Sequence, residues 1–360
     1  MAGQQTVLLP DAGMTSTIVI MHPGGLGDLL LAVPAIRSLQ ARFPRHQLLL
    51  CGHDQASEFL HECRLVDRWL SVQATACTAL FGGCAPDDPP LKDWLSRCDL
   101  VVAWTRDEAG TLAAALKHCG AAAVLIQSPF CSTLKAGHQR DRFLEIVQEP
   151  AADRTAMKPL PLPAHLREAG SSYLQRFGLP SDRALVLIHP GSGSRHKCVK
   201  PQVLALFVRQ LQEQGVLPLI LEGPADQEPV ANLLLHMPIK PFVLGGLSVG
   251  LLAGLLSHVE LYVGHDSGVT HLSALLGIAT VALFGPTDPE RWAPRGSHVM
   301  VLQGERCRCS SWDEVSRCAE KPCLQLSAET ILTACQSARR IGINPRISTS
   351  TALSPNSPVC

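Results

Sequence analysis

The chain has 360 residues, 46% of them apolar and 17% charged, which is long for one domain and enough to fill two cores. Its 31 basic and 31 acidic side chains cancel, excluding the net electrostatic pull of a nucleic-acid or anionic-membrane binder. The longest apolar run, near 272–284, is broken by Ser273, Gly277 and Thr280 and falls short of the roughly 20 residues of a spanning helix, and no basic segment followed by an apolar core marks a signal peptide, so a cytoplasmic protein is expected.

Residues 1–13 read as an extension ahead of the fold. An uncharged run at 18–22 suits a strand buried on both faces of a parallel sheet. It feeds His22-Pro23-Gly24 and a loop with Gly25 and Gly27, and the spacing then predicts a helix from about Asp28 to Phe43. Strands are expected at 47–51, 99–104 and 122–127, helices at 55–63 and 108–119, and a loop at Gly82–Pro90. This alternation is that of a doubly wound α/β sheet. Residues 149–163, with four prolines, read as a linker.

The second half repeats the pattern. Helix 164–177 ends at Gly178 and Pro180, and strand 184–189 again runs into His-Pro-Gly, at His189-Pro190-Gly191. Helix 201–214, strand 216–221, helix 226–236, strand 241–244 and helix 248–257 follow. A strand from 259 then enters His265-Asp266-Ser267-Gly268, helix 268–276 and strand 280–284. The Ser-, Thr- and Pro-rich tail at 343–360 is expected to be disordered. Two similar units predict domains at 14–155 and 165–340 facing one another across a cleft.

Two loops of the second half suit an anion. One offers Ser192, Gly193 and Ser194 followed by Arg195, His196 and Lys197. The other places Asp266, Ser267 and Gly268 at a helix start, with Thr270 and His271 in its first turn. Each alone reads equally as a solvated basic turn or a plain helix cap; together, after two strands of one sheet, they could flank a diphosphate. In the first half, Asp28 is either an N-cap or, opposite such a site, a base for an acceptor hydroxyl.

No Asp-x-Asp pair is present to hold Mg²⁺ against a nucleotide, and no P-loop. Fourteen cysteines read as reduced packing residues. Cys307, Cys309, Cys318 and Cys323, with Cys335 beyond, lack the paired knuckles of a zinc ribbon, so a thiol-lined structural loop is expected and no metal is assigned.

The segments HPGGLGDLLLAVPAIRSLQARFP, HPGSGSRHK and YVGHDSGVTHLSALLGIATVALFGPTDPERWAP, in this order, resemble the ADP-heptose:lipopolysaccharide heptosyltransferases, glycosyltransferase family 9. The likeness runs from about 16 to 338, and CLQLSAETILTA resembles that family's closing segment. The resemblance implies a GT-B fold: two Rossmann-like domains, acceptor on the first and nucleotide sugar on the second. It implies inverting, metal-independent and cofactor-free transfer of heptose from an ADP-sugar to a lipopolysaccharide core at the inner membrane surface.

By motif match, Asp28 takes the place of the general base, with Gly24, Gly25 and Gly27 in the acceptor-side loop. Lys197 matches the lysine on donor phosphate and Asp266 the donor-sugar carboxylate. Ser192, Gly193, Ser267, Gly268, Thr270 and His271 fall around the diphosphate, and Glu222 near the nucleoside. Relatives often read Lys-x-Trp-Pro where this chain has Lys197-Cys198-Val199-Lys200-Pro201, which leaves Lys200 as a second candidate for the phosphate. Arg64, Arg106, Arg140 and Arg142 of the first half could meet an anionic sugar or lipid phosphate, but each reads first as a solvated surface residue. Two other readings stand beside this one: a glycosyltransferase using another nucleotide sugar, and a GT-B protein that binds a nucleotide sugar without catalysis. A two-domain NAD-dependent oxidoreductase is disfavoured by the absence of G-x-G-x-x-G.

Overall fold

The computed structural model describes residues 16–129, 137–147, 158–179 and 183–341. The expected extension at 1–13, the tail at 343–360 and Pro180 lie outside them, as does most of the 149–163 segment.

The first half runs β1 (Thr17–His22), α1 (Leu26–Leu31), α2 (Val33–Arg42), β2 (Gln47–Gly52), α3 (Asp54–Glu62), β3 (Arg68–Ser71), α4 (Thr75–Phe81), α5 (Pro89–Ser96), β4 (Cys98–Ala103), α6 (Thr111–His118), β5 (Val124–Ile126) and α7 (Gln139–Ile146). Its sheet has order β3-β2-β1-β4-β5, with every pair parallel. The uncharged sequence of β1 is explained by burial on both faces. Ile18 and Ile20 enter one apolar cluster with α1, α2 and α3, while Val19 and Met21 enter another with α4, α5 and α6.

The single helix expected from Asp28 to Phe43 is instead two. Pro34 has no N–H to donate back along a continuous helix, and the chain breaks at Ala32 and restarts with Pro34 in the first turn of α2. The Gly82–Pro90 loop is shorter than expected, because Asp88 accepts from Leu91 N–H at 2.7 Å and caps α5 at Pro89.

The second half runs α8 (Ala164–Gln175), β6 (Leu185–His189), α9 (Pro201–Glu213), β7 (Leu217–Glu222), α10 (Gln227–Leu235), β8 (Phe242–Gly245), α11 (Val249–Leu256), β9 (Leu261–His265), α12 (Gly268–Leu275), β10 (Thr280–Leu283), α13 (Pro289–Trp292), β11 (Val299–Leu302), α14 (Trp312–Arg317) and α15 (Ala328–Ile341). Its sheet, again all parallel, has order β11-β10-β9-β6-β7-β8. Gly178, at φ 61°, stands in the left-handed region just past α8, where glycine is the least strained residue.

In each sheet the first strand lies between two later ones, β1 between β2 and β4, β6 between β7 and β9. Ligands of such sheets bind beyond the carboxyl ends of the strands at these switch points. His22, His189 and His265 end β1, β6 and β9. The halves are joined by apolar packing: one cluster takes Leu29 and Phe59 from the first half and Leu252, Leu272 and Leu275 from the second. The described end of the expected linker packs as well. Leu160 and Leu162 are buried, Leu160 N–H donates to Leu275 O at 2.8 Å, and Arg37 holds the Lys158 carbonyl at 2.6 Å.

Candidate active site

At the facing strand ends a cavity of about 550 Å³ is lined by Gly27 and Asp28 from the first half and by Gly193, Lys197, Asp266, Ser267, Gly268 and His271 from the second. The starts of α1 and α12 meet at its edge. A Cβ on Gly27 would lie 3.3 Å from Gly268 Cα, and one on Gly268 would lie 3.0 Å from Gly27 N, so the two helix starts touch through paired glycines.

Asp28 sits in the first turn of α1 with its side chain against Gly24, where a Cβ would come within 2.9 Å of Asp28 Cβ and 2.7 Å of His22 Cε1. Burial raises the Asp28 carboxyl above its ordinary value; the Gly25 N–H and Lys197 lower it, and Asp266 raises it again. A carboxylate raised in this way is a stronger proton acceptor at neutral pH than one free in water.

Across the cavity, Lys197 Nζ lies 2.8 Å from Asp266 Oδ2 and 5.7 Å above the centre of the Trp312 ring. Ser194 accepts from His196 N–H at 3.3 Å, starting the short 3₁₀ turn that carries Lys197. The Ser192 hydroxyl donates to the Asp266 carbonyl at 2.6 Å, tying the two second-half loops together. His265, at the end of β9, accepts from Val199 N–H through Nε2 at 3.0 Å and donates through Nδ1 to the Gly191 carbonyl at 3.3 Å. Burial lowers both His265 and His271 to about 4, so His271 faces the cavity as a neutral ring.

The residues singled out in the sequence thus divide. Gly27, Asp28, Gly193, Lys197, Asp266, Ser267, Gly268 and His271 come together on the cavity. Gly24 and Ser192 support it from behind, and nothing approaches within 4 Å of where a Gly25 Cβ would be. Thr270 is fully buried, 3.1 Å from Tyr262 Oη. Glu222 ends β7 away from the cavity lining, and Lys200 stands at the start of α9 beside a different hollow, so of the two lysines Lys197 faces Asp266. Arg64 and Arg106 are exposed, whereas Arg140 and Arg142 are buried on α7, where burial and the Arg142 charge lower Arg291 of the second half.

Sequence reasoning missed the pairing of His189 with Asp226 at 2.7 Å, although the repeated His-Pro-Gly flagged one partner. It also missed Trp312, which nothing in its surrounding residues marks. Cys307, Cys309, Cys318 and Cys323 line one small apolar hollow of about 90 Å³ beside the cavity, where burial and the Cys307 thiol push Cys323 up to about 12. Among the described residues no group of three or more His, Cys, Asp or Glu could hold a metal, and no helix is long and apolar enough to cross a membrane.

Comparison with known proteins places this arrangement. The model of glycosyltransferase family 9 (heptosyltransferase) matches residues 144–322. Lipooligosaccharide heptosyltransferase 2 of Campylobacter jejuni is 22% identical over 287 residues, 77% of this chain and 83% of its own. The glycosyl transferase family 9 structure from Veillonella parvula superposes with a TM-score of 0.75 at 19% identity, over 90% of this chain and 97% of that one. For the ADP-heptose lps heptosyltransferase II of E. coli the TM-score is 0.69 at 16% identity, over 90% and 98%. With two parallel α/β sheets facing a cavity in the GT-B manner, the chain belongs to glycosyltransferase family 9, the heptosyltransferases.

Proposed function

We propose that this glycosyltransferase moves a heptose from ADP-heptose to a lipopolysaccharide core presented at the inner membrane surface, with inversion at the anomeric carbon and without a metal. The observation that carries this reading is one juxtaposition: Asp28 of the first half faces the Lys197–Asp266 pair and the start of α12 across a single cavity. The donor named for the E. coli relative supplies the nucleotide sugar.

Each part has a physical role. Asp28 removes the proton from the acceptor hydroxyl as it attacks the anomeric carbon from the first-half side. The diphosphate leaves toward the second half, where the first N–H groups of α12 and the ammonium of Lys197 meet its growing charge, already aimed before reaction. Gly193, beside which nothing stands within 4 Å of a would-be Cβ, lets phosphate approach the backbone. Asp266 holds Lys197 in the unloaded site and is placed to accept from a donor-sugar hydroxyl when Lys197 turns to phosphate. Neutral His271 borders the same space without adding a second cation. Contact of Gly27 with Gly268 leaves no room for water between the two helix starts.

The test is a transfer assay with ADP-heptose and with UDP- and GDP-sugars, on a core oligosaccharide acceptor, with and without EDTA. Turnover of ADP-heptose alone, to the inverted product and indifferent to EDTA, is expected. Turnover of another nucleotide sugar reassigns the donor, and loss with EDTA refutes the metal-free step.

A further inference from the structure

His189 and Asp226 take no part in the reaction outlined above, yet they lie directly behind its donor side, 4% and 5% exposed. Asp226 Oδ2 accepts from His189 Nε2 at 2.7 Å and from Gly223 N–H at 2.9 Å. Its other oxygen rests on the Cα of Gly191, where any side chain would collide with it. The Gly of this His-Pro-Gly therefore exists to seat the carboxylate that holds the His. With its proton at Nε2, the ring presents Nδ1 as an acceptor.

Two hydroxyls reach Nδ1: Ser267 Oγ at 3.4 Å and Tyr262 Oη at 3.5 Å. Thr270 Oγ1 spends its own proton on the His265 carbonyl and accepts from Tyr262 at 3.1 Å; Ser267 Oγ also lies 3.3 Å from this already engaged oxygen, and His189 Nδ1 is the unengaged acceptor within its reach. That engagement is unusual for the residue's position. Ser267 is the N-cap of α12, yet its side chain accepts nothing from the helix. Ser248 and Ser311, N-caps of α11 and α14, accept from Leu251 and Glu314 N–H in the ordinary way.

We propose that His189 and Asp226 are positioning residues of the donor site, holding the Ser267 hydroxyl off the first turn of α12 so that its N–H groups stay open to the donor diphosphate. The proposal rests on the reading of this cavity as a nucleotide-diphosphate site. Without an acceptor at Nδ1, Ser267 turns to cap α12 as Ser248 and Ser311 cap their helices, and competes with phosphate for the same N–H groups.

His189→Gln isolates the effect, since its terminal nitrogen can remain beside Asp226 while the acceptor facing Ser267 disappears. ADP affinity of the full chain is measured by calorimetry for the parent, His189→Gln, Ser267→Ala and the double variant. His189→Gln is expected to weaken ADP about fivefold or more, the factor a serine N-cap commands. In the Ser267→Ala background the same change is expected to alter affinity by less than about twofold, because its target is gone. A purely structural role would cost the same in both backgrounds, and that result, or no loss in either, overturns the proposal. Nitrogen resonances of His189 in the unaltered chain give a second measurement that no folding failure can obscure: Nδ1 unprotonated is expected, and Nδ1 protonated overturns the arrangement. A parent chain that binds no ADP instead overturns the diphosphate reading, and the resonances then decide the hydrogen-bond order separately.

Discussion

The two His-Pro-Gly turns are the same tripeptide at the same place in two parallel sheets, and they do different chemistry. His189 ends β6 and meets a carboxylate, because the neighbouring β7 runs into Gly223 and Asp226. His22 ends β1, where the neighbouring β2 runs into Gly52, His53 and Asp54, and Asp54 is exposed at the start of α3 and does not meet His22. Its Nδ1 accepts from Gly24 N–H at 3.2 Å, and its Nε2 is buried without a partner, boxed by Trp104 and Phe143 at 5.7 and 5.3 Å. Burial lowers His22 to about 4. At Asp226 burial acts to raise the carboxyl, but the hydrogen bonds from His189 and the Gly223 N–H bring it below the ordinary value. The turn thus sets where a side chain sits, and the next strand sets what that side chain does.

The sharpest way to break this division of labour is at Asp28, four residues beyond Gly24. If the first half supplies the base and the second half the diphosphate grip, Asp28→Asn should lower kcat by about a hundredfold to ten-thousandfold. ADP affinity, measured by calorimetry, should stay within about twofold, because Asp28 stands across the cavity from the groups proposed to grip the diphosphate. An equal loss of ADP affinity would put Asp28 on the donor and dissolve the comparison. Because burial raises this carboxyl, the acid limb of kcat/KM should lie above the usual aspartate value, with activity lost as pH falls through it.

Stability should separate the two histidines as cleanly. Asp226→Ala leaves the buried His189 Nε2–H and the Gly223 N–H without their acceptor and should cost about 3 kcal/mol in denaturant unfolding. His22→Phe keeps an aromatic ring between Trp104 and Phe143 and removes an unpartnered donor, losing only the bond from Gly24; its cost should be about 1 kcal/mol. Similar penalties at the two sites would mean that His22 has a partner of comparable strength.

This contrast also marks how far the sequence could be read. Both sheets, the order of most elements and the meeting of Asp28 with Lys197 and Asp266 follow from buried-strand runs, glycine loops and family motifs. The break at Ala32 was foreseeable from Pro34, but helical periodicity on both sides hid it. The strand Arg68–Ser71 escaped notice because an edge strand with both faces half-buried has no two-sided apolar run. Asp226 was out of reach for a different reason: nothing in EGPAD says that its carboxylate folds back on Gly191, 35 residues earlier, since that contact exists only once β6 and β7 pair. Glu222, which opens the same turn, is not among the residues lining the cavity.

A smaller effect tests how the halves meet. Gly268→Ala would set a methyl 3.0 Å from Gly27 N and 2.9 Å from Leu26 Cγ, and backbone cannot yield there without parting α1 from α12. A displacement of a few tenths of an ångström between base and donor should lower kcat by about tenfold. ADP binding, proposed to rest on the second half, should change far less. A variant with normal kcat would show that closure at this contact does not govern the reacting geometry.

The least perturbing experiment needs no substitution at first. His22, His138, His265 and His271 all stand near 4 in the fold, lowered chiefly by burial, against 6.5 in an unfolded chain. Between those values the unfolded chain binds protons that the folded one refuses, so stability is complete above about pH 6.5 and declines as pH falls toward 4, by up to about 1.4 kcal/mol per pH unit for each histidine. Asp28 works in the opposite direction, since its raised value lets the fold take a proton first on acidification, but one carboxyl does not outweigh four imidazoles. Denaturant unfolding from pH 7 to pH 5 should show the decline, and His22→Phe should make it shallower by one histidine's share. An unchanged slope in His22→Phe would mean that His22 already carries a proton in the fold, and the difference between the two turns would then lie in their partners and not in their charge.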